Sequence, residues 1–258
     1  MFLKTDEVKI FNDDCRNVFP QLKDIALVVT SPPYNQLGKR FPKNTSNHKI
    51  SIHNFAAKAR SAYFDDRDEK TYAEFITDCF VQCRECCNWD ASLVVNHKCR
   101  WRKRQLLHPI DLIRTFEPSW YLRQEVIWAR KGSTAFQAKM FAPSDERLYW
   151  CTANNYYPPK GQRTNNPTFC WNQEAAKFLS VWDVSQYERD SRNNHPCPMP
   201  EEIAKRLIIG LSKPGDVVLD PFMGSGVTLK VARDLGRKAI GIDTEKEYCE
   251  LAKEILGL

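Results

Sequence analysis

The sequence predicts an α/β fold built on a mostly parallel, doubly wound sheet. Three observations predict it. Within residues 25–35, IALVVTSPPYN, Leu27, Val28 and Val29 form a short apolar run of the kind a strand buried on both faces requires. The last quarter of the chain alternates helical and extended periods in a β-α-β-α order. At 258 residues the chain holds one core with a modest insertion and is too short for two full domains.

The elements follow in order. Val8 to Phe11 alternates into a short strand, and Asn12-Asp13-Asp14-Cys15 follows as a polar loop or helix cap before a helix through Arg16, Val18, Phe19 and Leu22. The strand carrying Leu27, Val28 and Val29 must stop at Pro32 and Pro33, which cannot donate to a sheet ladder. Residues 36–67 are polar without a sustained period and read as a mobile loop beside that corner. Tyr72 to Trp89 reads as an amphipathic helix, Ala91 to Asn96 as a buried strand, Leu106 to Thr115 as a helix and Gln124 to Ala129 as a strand. From Lys131 to about Ser180 periodicity fades amid Asn, Tyr, Pro and Trp, with Leu148 to Cys151 as one core strand inside the stretch. Pro200 to Leu211 reads as a helix, Asp216 to Asp220 as a strand, residues 221–226 as a tight turn, Val227 to Leu235 as a helix, Lys238 to Asp243 as a strand and Glu245 to Leu256 as the closing helix.

Thr30-Ser31-Pro32-Pro33-Tyr34 places a hydroxyl, a carbonyl and an aromatic face at the carboxyl end of a strand, where open α/β sheets place ligands. That set suits a planar nucleobase amine. The amine's lone pair is delocalised into the ring, so two acceptors gripping its N–H bonds, Ser31 and the Pro32 carbonyl, return density to it. Tyr34 supplies a stacking surface for a base taken out of the duplex.

The pentapeptide resembles the catalytic motif of amino-methylating DNA methyltransferases, which use S-adenosylmethionine (AdoMet). Asp220-Pro221-Phe222-Met223-Gly224-Ser225-Gly226-Val227-Thr228 resembles that family's AdoMet-binding motif, and His195-Pro196-Cys197-Pro198-Met199-Pro200 the segment preceding it. A dinucleotide fingerprint would need glycine at 229, where Leu229 stands, which disfavours NAD. With the catalytic motif first and the cofactor motif last, the order is similar to that of the beta class. The resemblance therefore implies a circularly permuted, Rossmann-like AdoMet-dependent methyltransferase fold with a small loop-rich target-recognition insertion. Residues 1–130 are the catalytic half, with a mobile loop at 36–70; 131–190 are the target-recognition region; 191–258 are the AdoMet-binding half.

The implied cofactor residues are Asp14 and Cys15, Thr30, Asp220, Pro221, Phe222, Gly224, Ser225, Gly226, Thr228 and Asp243. In the resembled family an acid at the position of Asp14 meets the adenine amine, although Asp13 and Asp14 also suit a plain helix cap. Asp220 and the glycine turn face the methionine portion, and Asp243 the ribose hydroxyls. Ser at the first motif position goes with cytosine N4 in the family, and Asp or Asn with adenine N6. The expected activity is methyl transfer to cytosine N4 by base flipping and direct displacement, with adenine N6 as the alternative. A catalytically silent DNA-binding protein of the same fold is the rival from another class. Pro196-Cys197 resembles the nucleophile of cytosine-C5 methyltransferases, but it lies ahead of a helix near the cofactor half, and the Ser-Pro-Pro-Tyr corner already provides a non-covalent site.

Lys plus Arg total 38 against 32 acids, a formal charge of +6 that suits double-stranded DNA as partner without demanding it. His97 to Arg104 concentrates the charge: Lys98, Arg100, Arg102, Lys103 and Arg104 are expected phosphate contacts, with a solvated basic loop as the alternative. No apolar run approaches a membrane span, and MFLKTDEVKI lacks a signal peptide's apolar segment, so the expected compartment is the cytoplasm, at the nucleoid in a bacterium. The ten cysteines are expected to be reduced. Cys79, Cys83, Cys86 and Cys87 share a helical face that reads as core rather than as a zinc site completed by His97 or Cys99, so no metal is expected. A homodimer and a companion restriction endonuclease are compatible with the resemblance, and these residues fix neither.

Overall fold

The computed structural model describes residues 1–35, 67–102, 105–131, 143–155, 170–172, 177–185 and 199–258. Its strands are β1 (Leu3–Lys4), β2 (Val8–Asn12), β3 (Ile25–Thr30), β4 (Cys87–His97), β5 (Arg100–Arg102), β6 (Gln105–Leu107), β7 (Tyr121–Lys131), β8 (Asp145–Thr152), β9 (Val181–Ser185), β10 (Val217–Asp220) and β11 (Lys238–Asp243). Its helices are α1 (Cys15–Val18), α2 (Glu69–Cys83), α3 (Pro109–Ile113), α4 (Glu201–Leu211), α5 (Val227–Asp234) and α6 (Lys246–Leu256).

Nine strands form one sheet in the order β1-β2-β11-β10-β3-β4-β8-β7-β9, and β5 and β6 form a separate hairpin. Within the large sheet β1 and β8 run against the other strands, which are mutually parallel. The strands latest in the chain, β10 and β11, lie between β2 and β3, which is the permuted order expected. Apolar residues of β3 alternate between two cores. Leu27 and Val29 pack with α4, α5 and α6 on one face, and Ile25 and Val28 with α1, α2 and α3 on the other. No helix among the described residues is long and apolar enough to cross a membrane.

Two expected helices are corrected. The one placed over Tyr72 to Trp89 ends at Cys83; a 3-10 turn follows over Arg84–Cys86, and Cys87 already pairs with Ile25 of β3. Strand pairing overrides helical periodicity there, since a short segment of either period settles where tertiary packing puts it. The helix expected from Leu106 starts at Pro109, capped by His108, while Gln105–Leu107 is the second arm of the hairpin. Within residues 131–190, β8 and β9 belong to the main sheet, β8 filling the position between β4 and β7. The 36–66 segment and the His195–Pro198 stretch, Cys197 included, lie outside the described residues. Of the four grouped cysteines, Cys79 faces Cys15 at 3.8 Å between sulfurs. The thiols of Cys86 and Cys87 each donate to the Cys83 carbonyl at 3.1 Å.

Candidate active site

Every element reaching the site does so at the carboxyl edge of the sheet. β3 delivers Thr30 and then Ser31, and its neighbour β10 delivers Asp220. The Thr30 hydroxyl donates to Asp220 Oδ1 at 2.7 Å, coupling the end of β3 to the end of β10. Pro32 is buried, and the Pro33 carbonyl accepts from the Tyr72 hydroxyl at 2.7 Å, so helix α2 braces the corner from behind.

Asn96, the next-to-last residue of β4, divides its amide between two partners: Nδ2 donates to Ser31 Oγ at 3.2 Å and to Glu146 Oε2 at 3.0 Å. Its Oδ1 is buried without a hydrogen-bond partner among the described residues. Glu146 comes from β8, whose antiparallel direction brings its first residues to the edge where the parallel strands end. The Glu146 carboxylate, 9% exposed, also accepts from the Tyr34 hydroxyl at 3.1 Å and pairs with Arg130 at 3.1 Å. One buried acid thus fixes both Tyr34 and, through Asn96, Ser31.

His97 closes the corner from the other side. Its ring lies 4.7 Å from that of Tyr34, tilted by 30°. The Tyr72 hydroxyl lies between the Pro33 carbonyl and His97 Nε2, 2.8 Å away, and His97 Nδ1 meets both the Lys98 N–H at 2.9 Å and the Lys98 carbonyl at 3.0 Å. Burial together with Arg100 pushes the His97 pKa down to about 3, so the ring is neutral. Asn35, at φ +50, then anchors the far end: its side chain bonds the backbone of Arg67 through both amide atoms and reaches Glu69.

The ends of β10 and β11 lie on the same edge. Asp220 is fully buried; desolvation raises its pKa to about 6, while hydrogen bonds from Thr30, Thr228 and the Phe222 N–H pull it back. Asp243, at the end of β11, accepts from the N–H of Gly224 at 3.0 Å and of Glu245 at 2.9 Å, and burial raises it to about 7. Pro221, Ser225 and Thr228 are buried in the turn, and Phe222 packs edge-on against Phe75 and Phe80. Gly224 sits at φ +49, in the left-handed region that favours glycine. Gly226 has a different reason: at φ +80 it opens α5, and a Cβ there would sit 2.7 Å from Ala252 Cβ of α6. Asp14 caps α1 and is gripped by Arg16, whose guanidinium holds the carboxyl below its usual range. The Cys15 thiol turns into the core against Cys79, so only Asp14 of that pair keeps its side chain at the edge.

The basic run is sorted by the hairpin. Arg100 and Arg102, expected on phosphates, instead converge on Glu69: Arg100 pairs with both carboxylate oxygens at 3.0 Å and Arg102 with one at 2.8 Å. Their side chains are 9% and 14% exposed. Strand pairing turns alternate residues inward, and a single acid within reach of two guanidiniums holds them there. Lys98 places its ammonium 5.3 Å from the Tyr34 ring centroid. Lys103 and Arg104 lie outside the described residues.

Fold and edge together define a Rossmann-like methyltransferase domain. Structures similar to it agree. A cytosine-N4-specific PvuII DNA methyltransferase superposes with TM-score 0.71 at 17% identity, covering 96% of this chain and 86% of that one. A DNA modification methylase of Thermus thermophilus, complexed with S-adenosyl-L-methionine, gives 0.65 at 22% identity, over 96% and 93%. In sequence, residues 25–254 match the DNA methylase family of N6- and N4-methyltransferases, and the chain belongs to it. The type II methyltransferase M.HpaI of Haemophilus parainfluenzae is 28% identical over 94% of this chain and 73% of its own length. M2.LlaDCHI of Lactococcus lactis subsp. cremoris reaches 36% over 46% and 44%.

Proposed function

We propose that this DNA methyltransferase takes AdoMet as its cofactor and methylates the exocyclic N4 amine of cytosine in double-stranded DNA, within a specific sequence, after extruding the base. The observation that carries the reading is Ser31, a neutral acceptor fixed by Asn96 at the end of β3, one strand from a buried acid at the glycine turn.

The turn fits the cofactor. Buried carboxylates at Asp220 and Asp243, both raised by desolvation, are groups that gain from a cationic ligand, and AdoMet carries an ammonium and a sulfonium. Asp220 and the turn would hold the methionine portion, Asp243 the ribose and Asp14 the adenine end. Bound there, AdoMet supplies an electrophilic methyl group. The chain's own residues do the rest. Ser31 Oγ and the Pro32 carbonyl accept the two N–H bonds of the target amine and return electron density to nitrogen. Tyr34, pinned by Glu146 at its hydroxyl and backed by His97, stacks on the extruded base. Lys98, Lys103 and Arg104 serve phosphates, and the segments between β7, β8 and β9 read the sequence. In a bacterium the compartment is the cytoplasm.

The test is mass spectrometry of nucleosides from methylation-free genomic DNA incubated with the protein and AdoMet. N4-methylcytosine is the expected product. N6-methyladenine would move the target to adenine, 5-methylcytosine would turn attention to Cys197, and binding of DNA and AdoMet without transfer would favour a silent binder.

A further inference from the structure

Hairpin β5–β6 carries an unusual surface. Its three cross-strand pairs are Arg100 with Leu107, Trp101 with Leu106 and Arg102 with Gln105. Side chains alternate across a two-stranded ribbon, so Trp101 and Leu106 share the face opposite Arg100 and Arg102. They are 54% and 51% exposed, a large apolar pair turned to solvent. The inner face is held unusually well for so short a ribbon, which would be marginal alone. Arg100 and Arg102 both clamp Glu69, and both guanidiniums reach the Asn35 carbonyl, at 3.3 and 3.5 Å. Asn35 directly follows Tyr34. The clamp therefore fixes the exposed pair relative to the catalytic corner.

The charge of the clamp suits a polyanion. Its described cations, Lys98, Arg100 and Arg102, outnumber Glu69 three to one, so the clamp is cationic on balance. Extruding a base from a duplex leaves a gap between two stacked neighbours, and a planar apolar side chain beside the extrusion point is what fills such a gap.

We propose that the β5–β6 hairpin is a wedge for double-stranded DNA, with Trp101 occupying the stack vacated by the target base and Leu106 supporting it. This rests on the reading of the chain as a base-extruding methyltransferase. Sequence is not read by the wedge, because every base offers a stacking face.

The test compares methyl transfer from labelled AdoMet to methylation-free genomic DNA, native and heat-denatured, by the full-length wild type, Trp101→Ala and Trp101→Phe. Trp101→Ala should lower kcat/KM on native duplex by roughly 5-fold to 150-fold, the range of one lost base stack, and by no more than about twofold on denatured strands, which have no gap to fill. Trp101→Phe should recover most of the activity, and AdoMet affinity should be unchanged in both. Equal losses on the two substrates, or none, would overturn the wedge. A wild-type dimer that Trp101→Ala splits in sedimentation would overturn it too, making the pair a self-association surface. Wild-type protein that methylates neither substrate would refute the enzyme and the wedge together, whereas an active wild type with an indifferent Trp101→Ala refutes the wedge alone.

Discussion

Glu146 offers the sharpest test of how the corner is held. Its carboxylate, 9% exposed, is the shared acceptor for Asn96, the Tyr34 hydroxyl and Arg130. Glu146→Ala removes all three acceptor bonds at once and leaves the Arg130 guanidinium, 16% exposed, without that carboxylate. Breaking a buried pair from one side costs about 3 to 5 kcal/mol, so the alanine variant should lose much of its folding stability. Glu146→Gln keeps the volume and one acceptor oxygen but exchanges charge-assisted bonds for neutral ones, a loss of about 1 to 2 kcal/mol. That variant should remain folded.

Its catalytic effect should exceed its effect on stability. Ser31 and Tyr34 are both positioned through this acid, and a displacement on the order of 1 Å at reacting groups costs about 100-fold in rate. Glu146→Gln is therefore expected to lower single-turnover methyl transfer by roughly 10-fold to 100-fold with AdoMet affinity unchanged. Urea unfolding gives the stability, calorimetry the cofactor affinity and quenched-flow transfer the rate. A glutamine variant with wild-type stability and wild-type rate would refute the positioning role. A loss confined to AdoMet affinity would place Glu146 on the cofactor side instead.

Two further outcomes follow from the same edge. Ser31→Ala deletes one of the two acceptors proposed for the amine, about 2 to 4 kcal/mol of transition-state stabilisation, so kcat should fall roughly 30-fold to 1000-fold while calorimetric AdoMet affinity holds. Asp220 and Asp243 carry folded-state pKa values of about 6 and about 7 against an ordinary 3.8, so between about pH 4 and pH 7 the folded cofactor-free protein keeps protons that the unfolded chain has released. Their contribution to stability must therefore fall as pH rises through that window, and Asp243→Asn should flatten the fall in urea melts. Because a cationic ligand favours the ionised acids, AdoMet binding near pH 6 should release protons, read as a heat that changes with buffer ionisation enthalpy.

Much of the fold was legible because its most regular units carry local signals. The strand Lys238–Asp243 has the bounds read from sequence, since an apolar run leaves a turn at Gly236 and ends on an acid before a helix. β3 was legible for a similar reason: two prolines forbid its continuation. The stretch from Cys87 to Trp89 was not, because its apolar spacing suits a helix and only pairing with β3 decides for strand. The position of β8 was equally hidden, although its existence as a core strand was not. Nothing in DERLYWCT says that it runs against its neighbours.

That one reversal explains most of what was missed at the site. Ser31, Pro32, Tyr34 and Asp220 sit at ends of parallel strands, where a polar group closing an apolar run is a readable sign. Asn96 carries the same sign at the end of ASLVV, and could have been found by it. Glu146 lies 112 positions from Tyr34 in sequence, at the start of its strand rather than the end, and reaches the edge only because β8 is antiparallel. The basic run failed for a related reason. Counting charges from Lys98 to Arg104 treats every cation alike, whereas a strand sorts residues by parity. In β5 that parity turns Arg100 and Arg102 toward Glu69 and Trp101 outward, so the residues chosen for charge became the anchor and the one between them became the exposed surface.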